Sequence, residues 1–338
     1  MPLRGRKKVK PDNETPSWPM ATDISIVVVS FNVREYLRNC LESIIRHSSP
    51  LTVEIIVVDN HSEDGSVEMV RREFPSVKLI ANTENHGFAK ANNQGIREST
   101  GRYVLLLNPD TLLWKDTLLV TRDYMEKHPE VGCVGIKTHT ASGSTFPNGS
   151  SFPASWKVMA KFLMIKQVLP NRWIRRHFSG SVGRLFNYYA DREVEREVDM
   201  VGGFFMFIRR EVIDTVGLMD ENYFLEIEDS DWCMRMKREG WKVKYIPYAS
   251  FTHLIGKSID RFRFSESSFL NEFTNTMRFY RKFYTSVDLM GLKITILAGI
   301  LFQVLFTLIS TPIVGAERNQ AREKIGAFSE MMKRVLSF

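Results

Sequence analysis

The chain has 338 residues, which is enough for about two domains or for one large domain with additions. Hydrophobic residues make up 43% and charged residues 25%, so both a wholly disordered chain and a polytopic membrane protein are excluded. The formal net charge of +7 favours anionic partners such as nucleotides, nucleic acid or acidic lipid. Cys40, Cys133 and Cys233 are too few and too far apart for a disulfide framework or a zinc pattern, which indicates a reduced, cytosol-facing compartment.

Residues 1–22 predict a basic, disordered tail. Arginine and lysine crowd its first ten residues and prolines follow, but no apolar segment suited to a secretory signal comes after them. Two interpretations stay open, a solvated tail and an arm that contacts anionic lipid.

Strands and helices alternate from residue 24 onwards. Apolar β-branched runs predict strands over 24–30, 54–59, 77–81 and 103–107, and helical spacing predicts helices over 34–47, 66–74 and 88–98. This succession predicts an α/β fold with a mostly parallel central sheet and flanking helices. Ligands of such sheets bind at the carboxyl ends of the strands.

Polar residues follow each of these strands. The segments are Ser30-Phe31-Asn32, residues 59–66, residues 85–89 and Asn108-Pro109-Asp110-Thr111. Turns favour such residues on their own account, but their recurrence after all four strands favours a ligand site. Neither a G-x-G-x-x-G fingerprint nor a P-loop occurs, so a metal ion is the natural candidate for holding phosphates.

Asp110 is the first candidate metal ligand, because a carboxylate is a hard oxygen ligand that suits Mg²⁺ or Mn²⁺. Its alternative is an Asx turn that caps a helix beginning at Thr111. His253 is the second candidate metal ligand. It follows a short predicted edge strand over 245–247, at a strand end, and it precedes the basic loop at 256–258. Its alternative is a histidine with an ordinary structural role.

A cluster of carboxylates lies between these two, at Glu226, Glu228, Asp229 and Asp231. Helical spacing begins here, so the cluster sits near a helix N-terminus, where the dipole favours anions and where capping is the alternative role. A carboxylate in a cleft is also a common general base for an alcohol. Upstream, the pair Gly202-Gly203 predicts a turn at which a substrate approaches the backbone, with a bulge as the alternative.

Residues 294–314 are apolar and uncharged, with basic residues on both sides. The stretch is long enough to cross a bilayer as a helix, so we expect membrane association, either spanning or re-entrant. A buried helix in an oligomer interface is the alternative, and the basic flanks give no orientation.

Together these segments resemble family 2 glycosyltransferases with the GT-A fold, in the rhamnosyltransferase-like bacterial branch. The matching pieces, which fall in the family's order within residues 23–258, are SIVVVSFN, VDNHSEDGS, NHGFAKANNQGI, LLLNPDT, VGGFFMFIRREVIDTVGLMDENYFLEIEDSDWCMRMKREGW and YIPYASFTH.

The resemblance implies the roles of the site residues. The donor-binding residues are Ser30, Phe31, Asn32, Asp59, Gly87, Asn93, Asn108 and Asp110. Asp110 and His253 hold Mg²⁺ or Mn²⁺, Asp229 is the catalytic base and Glu228 is its acceptor-side partner. Gly202, Gly203 and Trp232 are expected to contact the acceptor. Asn108 stands where the family usually has aspartate, which puts a ribose or metal contact there in doubt.

The resemblance also implies the activity, an inverting hexosyl transfer from a dTDP- or UDP-linked sugar to a hydroxyl of a glycan or lipid-linked glycan. Rhamnose and cell-surface polysaccharide synthesis at the cytoplasmic face of the membrane are the family-level expectation, with an anionic membrane surface as partner and no nucleic acid. The implied organisation is a tail (1–22), a GT-A domain (23–260, with an insertion at 146–198) and a helical region (261–338).

Three other readings remain: an inactive membrane-associated scaffold, a nucleic-acid binder and a nucleotidyltransferase. Carboxylates at the strand ends disfavour nucleic acid, because they repel its phosphates. The chain lacks the glycine-rich basic loop expected of a nucleotidyltransferase.

Overall fold

The computed structural model describes residues 22–155, 158–159, 192–254, 266–310 and 316–338. The predicted tail (except Thr22), most of the predicted insertion at 146–198, the loop at 256–258 and residues 311–314 of the apolar stretch lie outside this part of the chain.

Apolar runs of the sequence form the strands, as predicted, and amphipathic segments form helices between them. The elements up to residue 147 are β1 (Ile24–Ser30), α1 (Arg34–His47), β2 (Val53–Asp59), α2 (Ser66–Glu73), β3 (Lys78–Ala81), α3 (Gly87–Arg97), β4 (Tyr103–Leu107), β5 (Thr111–Leu113), α4 (Thr117–Lys127), β6 (Val131–Thr140) and β7 (Thr145–Pro147). Those from residue 196 onwards are β8 (Arg196–Glu197), β9 (Phe205–Arg209), α5 (Arg210–Val216), α6 (Glu228–Arg238), β10 (Lys242–His253), α7 (Glu266–Phe283), α8 (Ser286–Ser310) and α9 (Ala316–Ser337).

The described strands form one mixed sheet in the order β3-β2-β1-β4-β9-β6-β10-β5, with β7 beside β6 and β8 beside β10. Strands β1 to β4 pair in parallel, which confirms the predicted βαβαβ half. Strand β9 runs antiparallel to both β4 and β6, so the second half of the sheet is mixed. The carboxyl ends of β1, β2 and β4 therefore lie at one edge.

Alternating strand residues feed two cores on opposite faces of the sheet. In β1, Ile26 and Val28 pack into the core that also contains residues of α1, α2 and α4. Val27 points the other way, into the core shared with α3, α5 and α6. This two-faced burial explains why the central strands are continuously apolar rather than alternating.

Strand β10 differs from the prediction. The sequence suggested a short edge strand at 245–247, but β10 has 12 residues and lies between β6 and β5. Its pairing with β6 shifts register between Ile246 and Ser250, around Pro247. Proline has no N–H for the ladder, so the bulge allows the strand to continue past it to His253.

Helices α7, α8 and α9 share a third core, which includes Met277, Leu292, Ile296 and Met331. Ser286–Phe306 of α8 is the apolar stretch that meets the length and composition of a membrane span within the described residues, with a mean hydropathy of 2.1 and 22% of the window buried. Leu292, Ile296 and Ile300 of α8 pack on the chain itself, whereas other apolar residues of the helix, such as Ile294 and Leu305, are exposed.

Candidate functional site

The ends of β1 and β2 are tied together by short polar contacts. Asn32 adopts a left-handed backbone conformation (φ 54°), and its N–H donates to Ser62 Oγ at 2.9 Å. Asn32 Oδ1 accepts from the Glu63 N–H at 2.8 Å. Ser62 N–H in turn donates to Asp59 Oδ1 at 2.8 Å. Asn32 is therefore fixed by these contacts, and Asp59 is oriented through one of its oxygens.

Two buried oxygens at this edge have no hydrogen-bond partner among the described residues, Ser30 Oγ and Asp59 Oδ2. Ser30 and Asp59 are register partners at the carboxyl ends of β1 and β2. Since buried polar atoms are nearly always paired, these two oxygens fit contacts with a polar ligand. The structure thus brings Ser30 and Asp59 together, next to Phe31 and Asn32.

Gly87 and Asn93 lie where α3 meets the 219–224 segment. Gly87 has φ +79°, and an added Cβ there would lie 2.4 Å from Phe224 O. Asn93 Nδ2 donates to Met219 O at 2.9 Å and its Oδ1 accepts from Met219 N–H at 3.0 Å. Asn93 thus braces the segment that leads to the carboxylate cluster, and its donor-binding role stays a prediction.

Asp110 and His253 come together although they are far apart in sequence. His253 Nε2 lies 3.0 Å from Asp110 Oδ1, and both side chains are buried. Antiparallel pairing of β5 with β10 places His253 opposite Thr111, directly beside Asp110. The Leu254 N–H also donates to Asp110 O at 2.8 Å.

This donor set fits a divalent cation. A carboxylate oxygen and an imidazole nitrogen meet at one point, and both are ligands that Mn²⁺ accepts, while Mg²⁺ favours the carboxylate and substrate phosphates. His253 Nδ1 is buried and has no hydrogen-bond partner among the described residues. Within the same part of the chain, no group of three or more His, Cys, Asp or Glu side chains could hold a metal. Phosphate oxygens of a substrate and water are the natural further ligands of such a cation.

Asn108, whose role the sequence left in doubt, is held through its backbone. Its N–H donates to Phe204 O at 3.1 Å, and its own carbonyl accepts from Thr111 Oγ1 at 2.7 Å. These contacts fix the turn that presents Asp110.

The segment Gly203-Phe204 connects the Asp110–His253 pair to the carboxylate cluster. The Phe204 ring stacks on the His253 ring, with centroids 4.9 Å apart. The Gly203 N–H lies near enough to the Asp229 carboxylate to lower the pKa of that group, against the effect of burial. A Cβ on Gly203 would lie 2.8 Å from the Phe88 ring, and one on Gly202 would lie 2.6 Å from the Phe204 ring. Both glycines therefore allow side chains of the same chain to pack closely against the backbone. The sequence analysis had assigned this glycine pair to the approach of a substrate.

Glu228 and Asp229 begin helix α6 as adjacent carboxylates, of which Glu228 is buried and Asp229 is partly buried. Burial and the neighbouring Asp229 charge hold the pKa of Glu228 well above its usual range. Burial also raises the pKa of Asp229, although N–H donors at Ser230 and Gly203 oppose the shift. Glu228 Oε2 has no hydrogen-bond partner in the described part of the chain. A carboxylate with a raised pKa is suited to accepting a proton near neutral pH.

Two left-handed residues precede this pair, Glu226 (φ 68°) and Ile227 (φ 75°). Such a conformation costs of order 1–3 kcal/mol for a residue other than glycine, and it clusters at functional sites. The strain therefore lies directly beside the residues with the most perturbed carboxyl groups.

Asp231 and Trp232 are buried and paired within the protein, unlike Glu228 and Asp229. Asp231 is fully buried and pairs with Arg235 Nε at 2.8 Å and with Lys282 Nζ at 2.7 Å, so its charge is compensated. Trp232 is fully buried, and its indole N–H donates to Gly217 O at 2.8 Å. Trp232 is a core residue beneath α6, which corrects its prediction as an acceptor-binding residue.

Sequence reasoning missed Phe204, which stacks on His253, and Asn275 of α7, which contacts the Leu225 and Glu226 carbonyls. The sequence did contain a signal for Asn275, which is a polar residue within the apolar stripe of α7 that contains Phe273 and Met277.

The model of the family described as Glycosyl transferase family 2 matches residues 25–217. The N-acetylglucosaminyl-diphospho-decaprenol L-rhamnosyltransferase of Mycobacterium tuberculosis is 25% identical over 247 residues, which cover 69% of this chain and 76% of that protein. The low-salt glycan biosynthesis hexosyltransferase Agl10 of Haloferax volcanii is 23% identical over 296 residues, covering 85% of this chain and 86% of that one.

Among solved structures, the mannosyltransferase PcManGT from Pyrobaculum calidifontis, in complex with GDP-Man and Mn²⁺, superposes with a TM-score of 0.54. The match covers 94% of this chain and 91% of that chain at 16% identity, so it is a likeness of fold.

Proposed function

The chain belongs to glycosyl transferase family 2 and has the GT-A fold, and from that premise we propose that it is a metal-dependent, inverting glycosyltransferase. The observation that carries the proposal is the position of the Gly203-Phe204 segment: the Phe204 ring stacks on His253, a candidate metal ligand, and the Gly203 N–H lies near enough to the Asp229 carboxylate to lower its pKa. The inactive-scaffold alternative has no support, because each acidic and histidine position that the reaction requires is filled.

In the proposed reaction, Ser30, Asp59 and the fixed turn at Asn32 bind the nucleoside, and Asp110 and His253 are the residues that would hold a divalent cation. When bound, the cation neutralises charge on the leaving nucleoside diphosphate. The acceptor hydroxyl oxygen forms a bond to the anomeric carbon while the bond from that carbon to the phosphate oxygen breaks. Asp229 takes the hydroxyl proton. A single displacement from the opposite face inverts the configuration.

The acceptor that we propose is a lipid-linked glycan. The name of the M. tuberculosis relative specifies a diphospho-decaprenol-linked acceptor and L-rhamnose, which supports dTDP-rhamnose as the first donor to test and a role in cell-surface glycan synthesis. The outer face of α8 supports a membrane location. Its exposed apolar residues are Val287, Met290, Ile294, Leu301, Phe302, Leu305 and Phe306.

The membrane part can be tested with vesicles of phosphatidylglycerol and phosphatidylcholine. Leu305 is 50% exposed on α8, and we expect Leu305→Glu to reduce binding to anionic vesicles about tenfold or more. Ile45, 52% exposed on α1, supplies the matched control Ile45→Glu, which should bind like the wild type. Equal binding of both variants would contradict docking through α8.

The activity is tested by screening dTDP-, UDP- and GDP-sugars for thermal stabilisation with Mg²⁺ or Mn²⁺, followed by transfer assays. A donor at 100 times its dissociation constant adds about 2.7 kcal/mol to the free energy of unfolding. We expect stabilisation by at least one donor, and only with metal. If no nucleotide-sugar stabilises the chain under either metal, the proposed function is wrong.

A further inference from the structure

We propose that Asn275 of helix α7 is a positioning residue for the catalytic carboxylates, because its side-chain amide holds the turn from which Glu228 and Asp229 project. The inference rests on the proposed function, since it concerns the carboxylate pair of that site. Asn275 touches neither carboxylate and acts through the backbone of residues 225–227.

The turn requires something to hold it. Glu226 and Ile227 are both left-handed, at φ 68° and 75°, and Ile227 is β-branched, for which this conformation is especially unfavourable. The Asp231 N–H donates to Ile227 O at 2.9 Å, so the first turn of α6 is built on the strained residue. Any relaxation of the turn therefore reorients Glu228 and Asp229.

Asn275 supplies the contact at this point. Its Nδ2 donates to Leu225 O at 3.0 Å and to Glu226 O at 3.1 Å, the carbonyls on either side of the first left-handed residue. Its Oδ1 accepts from Arg278 Nη1 at 3.0 Å, which determines the end of the amide that faces the turn. Asn275 is 4% exposed, so water does not readily replace these bonds.

Helix α7 holds the same segment elsewhere. Arg278 donates to Asn222 O, and Lys282 Nζ lies 2.7 Å from both Asp220 Oδ2 and Asp231 Oδ2. These contacts fix α7 against the segment before the turn and against α6 after it. The turn that Asn275 contacts thus lies between two points that α7 anchors, Asn222 before it and Asp231 after it, so a change in the Asn275 bonds acts on the turn itself.

The consequence is catalytic because reacting groups must be held to a fraction of an ångström. A misplacement of about 1 Å can cost roughly 10²-fold in rate, even when it arises away from the reacting atoms. Donor binding depends on the other strand ends, so losing the Asn275 bonds should affect turnover rather than nucleotide affinity.

The experiment compares Asn275→Asp and Asn275→Ala with Thr276→Val. Aspartate keeps the shape of asparagine but cannot donate to the two carbonyls, and alanine removes the group altogether. Thr276 is the neighbouring residue, 3% exposed, and its hydroxyl donates to Glu272 O within α7, so it controls for disturbance of a buried helix position. The measurements are donor hydrolysis or transfer, Mn²⁺-dependent nucleotide affinity, the pH profile of kcat, and amide exchange at residues 226–231.

We expect both Asn275 variants to lose about tenfold to a hundredfold in kcat with nucleotide affinity within about twofold of the wild type. In Asn275→Ala, which adds no charge, a loosened turn admits water to Asp229 and lowers its raised pKa towards the ordinary range, so the acidic limb of the kcat profile should move to lower pH. Amide exchange at 226–231 should accelerate. Thr276→Val should resemble the wild type in all four measurements.

Wild-type kcat and an unshifted pH profile in the Asn275 variants would overturn the proposal. So would a parallel loss of melting temperature, nucleotide affinity and turnover with an unshifted profile, because that pattern assigns Asn275 to maintaining the fold. Amide exchange separates this proposal from the proposed function. A wild-type chain without transferase activity contradicts the proposed function, whereas unchanged exchange at 226–231 contradicts the role of Asn275.

Discussion

Two pairs of ionisable side chains in this protein differ in their electrostatics, since one pair is complementary and the other pair has like charges. Asp110 and His253 attract each other across 3.0 Å and form a complementary pair. Glu228 and Asp229 are neighbours of like charge, and burial raises the pKa of both. The difference suggests a division of labour, in which the first pair binds and the second pair reacts.

The backbone explains the contrast. Regular strand pairing between β5 and β10 places Asp110 beside His253, without left-handed residues at either position. Glu228 and Asp229 instead follow two strained residues and depend on a contact from α7. The proposed binding pair is thus placed by ordinary sheet geometry, whereas the proposed reactive pair follows a turn that is supported by a contact from α7.

The largest expected effect is on turnover. Asp229→Asn removes the proposed base while keeping the side-chain shape, and we expect a loss of about 10²–10⁴ in kcat because a positioned base contributes that much. Melting temperature should not fall, since the variant relieves a buried charge. Turnover assays and thermal unfolding check this, and a variant that keeps normal turnover would remove Asp229 from the mechanism.

The next effect concerns the binding pair. His253→Ala removes one candidate ligand, and we expect the Mn²⁺-dependent affinity for UDP or dTDP to fall about tenfold or more, as for loss of a well-placed ligand partner. His139→Ala is a suitable control, because His139 packs on Trp114 at a ring distance of 4.3 Å instead of on Asp110. If calorimetry finds the same metal-dependent affinity in both variants, His253 is not a ligand.

Asp231 lies in α6 like Asp229, but its negative charge is neutralised by basic partners. It is paired with Arg235 and Lys282, so Asp231→Asn should lower the free energy of unfolding by about 1–3 kcal/mol, the cost of leaving polar partners unsatisfied. Asp229→Asn should show no such loss in the same chemical denaturation experiment. A reversed order of stabilities would mean that the two carboxylates have been assigned the wrong roles.

The smallest effect is on the pH dependence of stability. Because the folded-state pKa of Glu228 is raised, ionisation destabilises the folded chain as pH rises above the ordinary glutamate value of about 4.3. Glu228→Gln stays neutral, so its melting temperature should exceed that of the wild type increasingly from pH 4 to pH 8. Each kcal/mol is worth roughly 2–4 °C. A constant difference across this range would show that Glu228 does not carry the buried charge.

Local sequence signals predicted the strands and helices up to β4, because period and composition depend on neighbouring residues. They could not predict the length of β10, since Pro247 suggested an edge and only pairing with β6 and β5 carries the strand past it. Burial of Trp232 was equally hidden, because an apolar point on a helix can face either a cleft or a core. The contacts of Asn275 with residues some 50 positions earlier in the chain exist only in the folded structure.

The Asp110–His253 site was approached from sequence through residue types and the resemblance, and the fold explains how the two side chains meet. Their role as ligands stays a prediction. The Gly203-Phe204 connection was not predicted, because stacking on His253 and proximity to Asp229 depend on how the chain enters β9.

The division of labour is tested most directly by calorimetric titration of UDP and dTDP into the wild type, Asp110→Ala and Asp229→Asn, with and without Mn²⁺. We predict that the wild type and Asp229→Asn bind nucleotide with the same metal-dependent affinity, and that Asp110→Ala loses the metal dependence. Equal binding by all three proteins, or loss of binding in Asp229→Asn alone, would contradict the account.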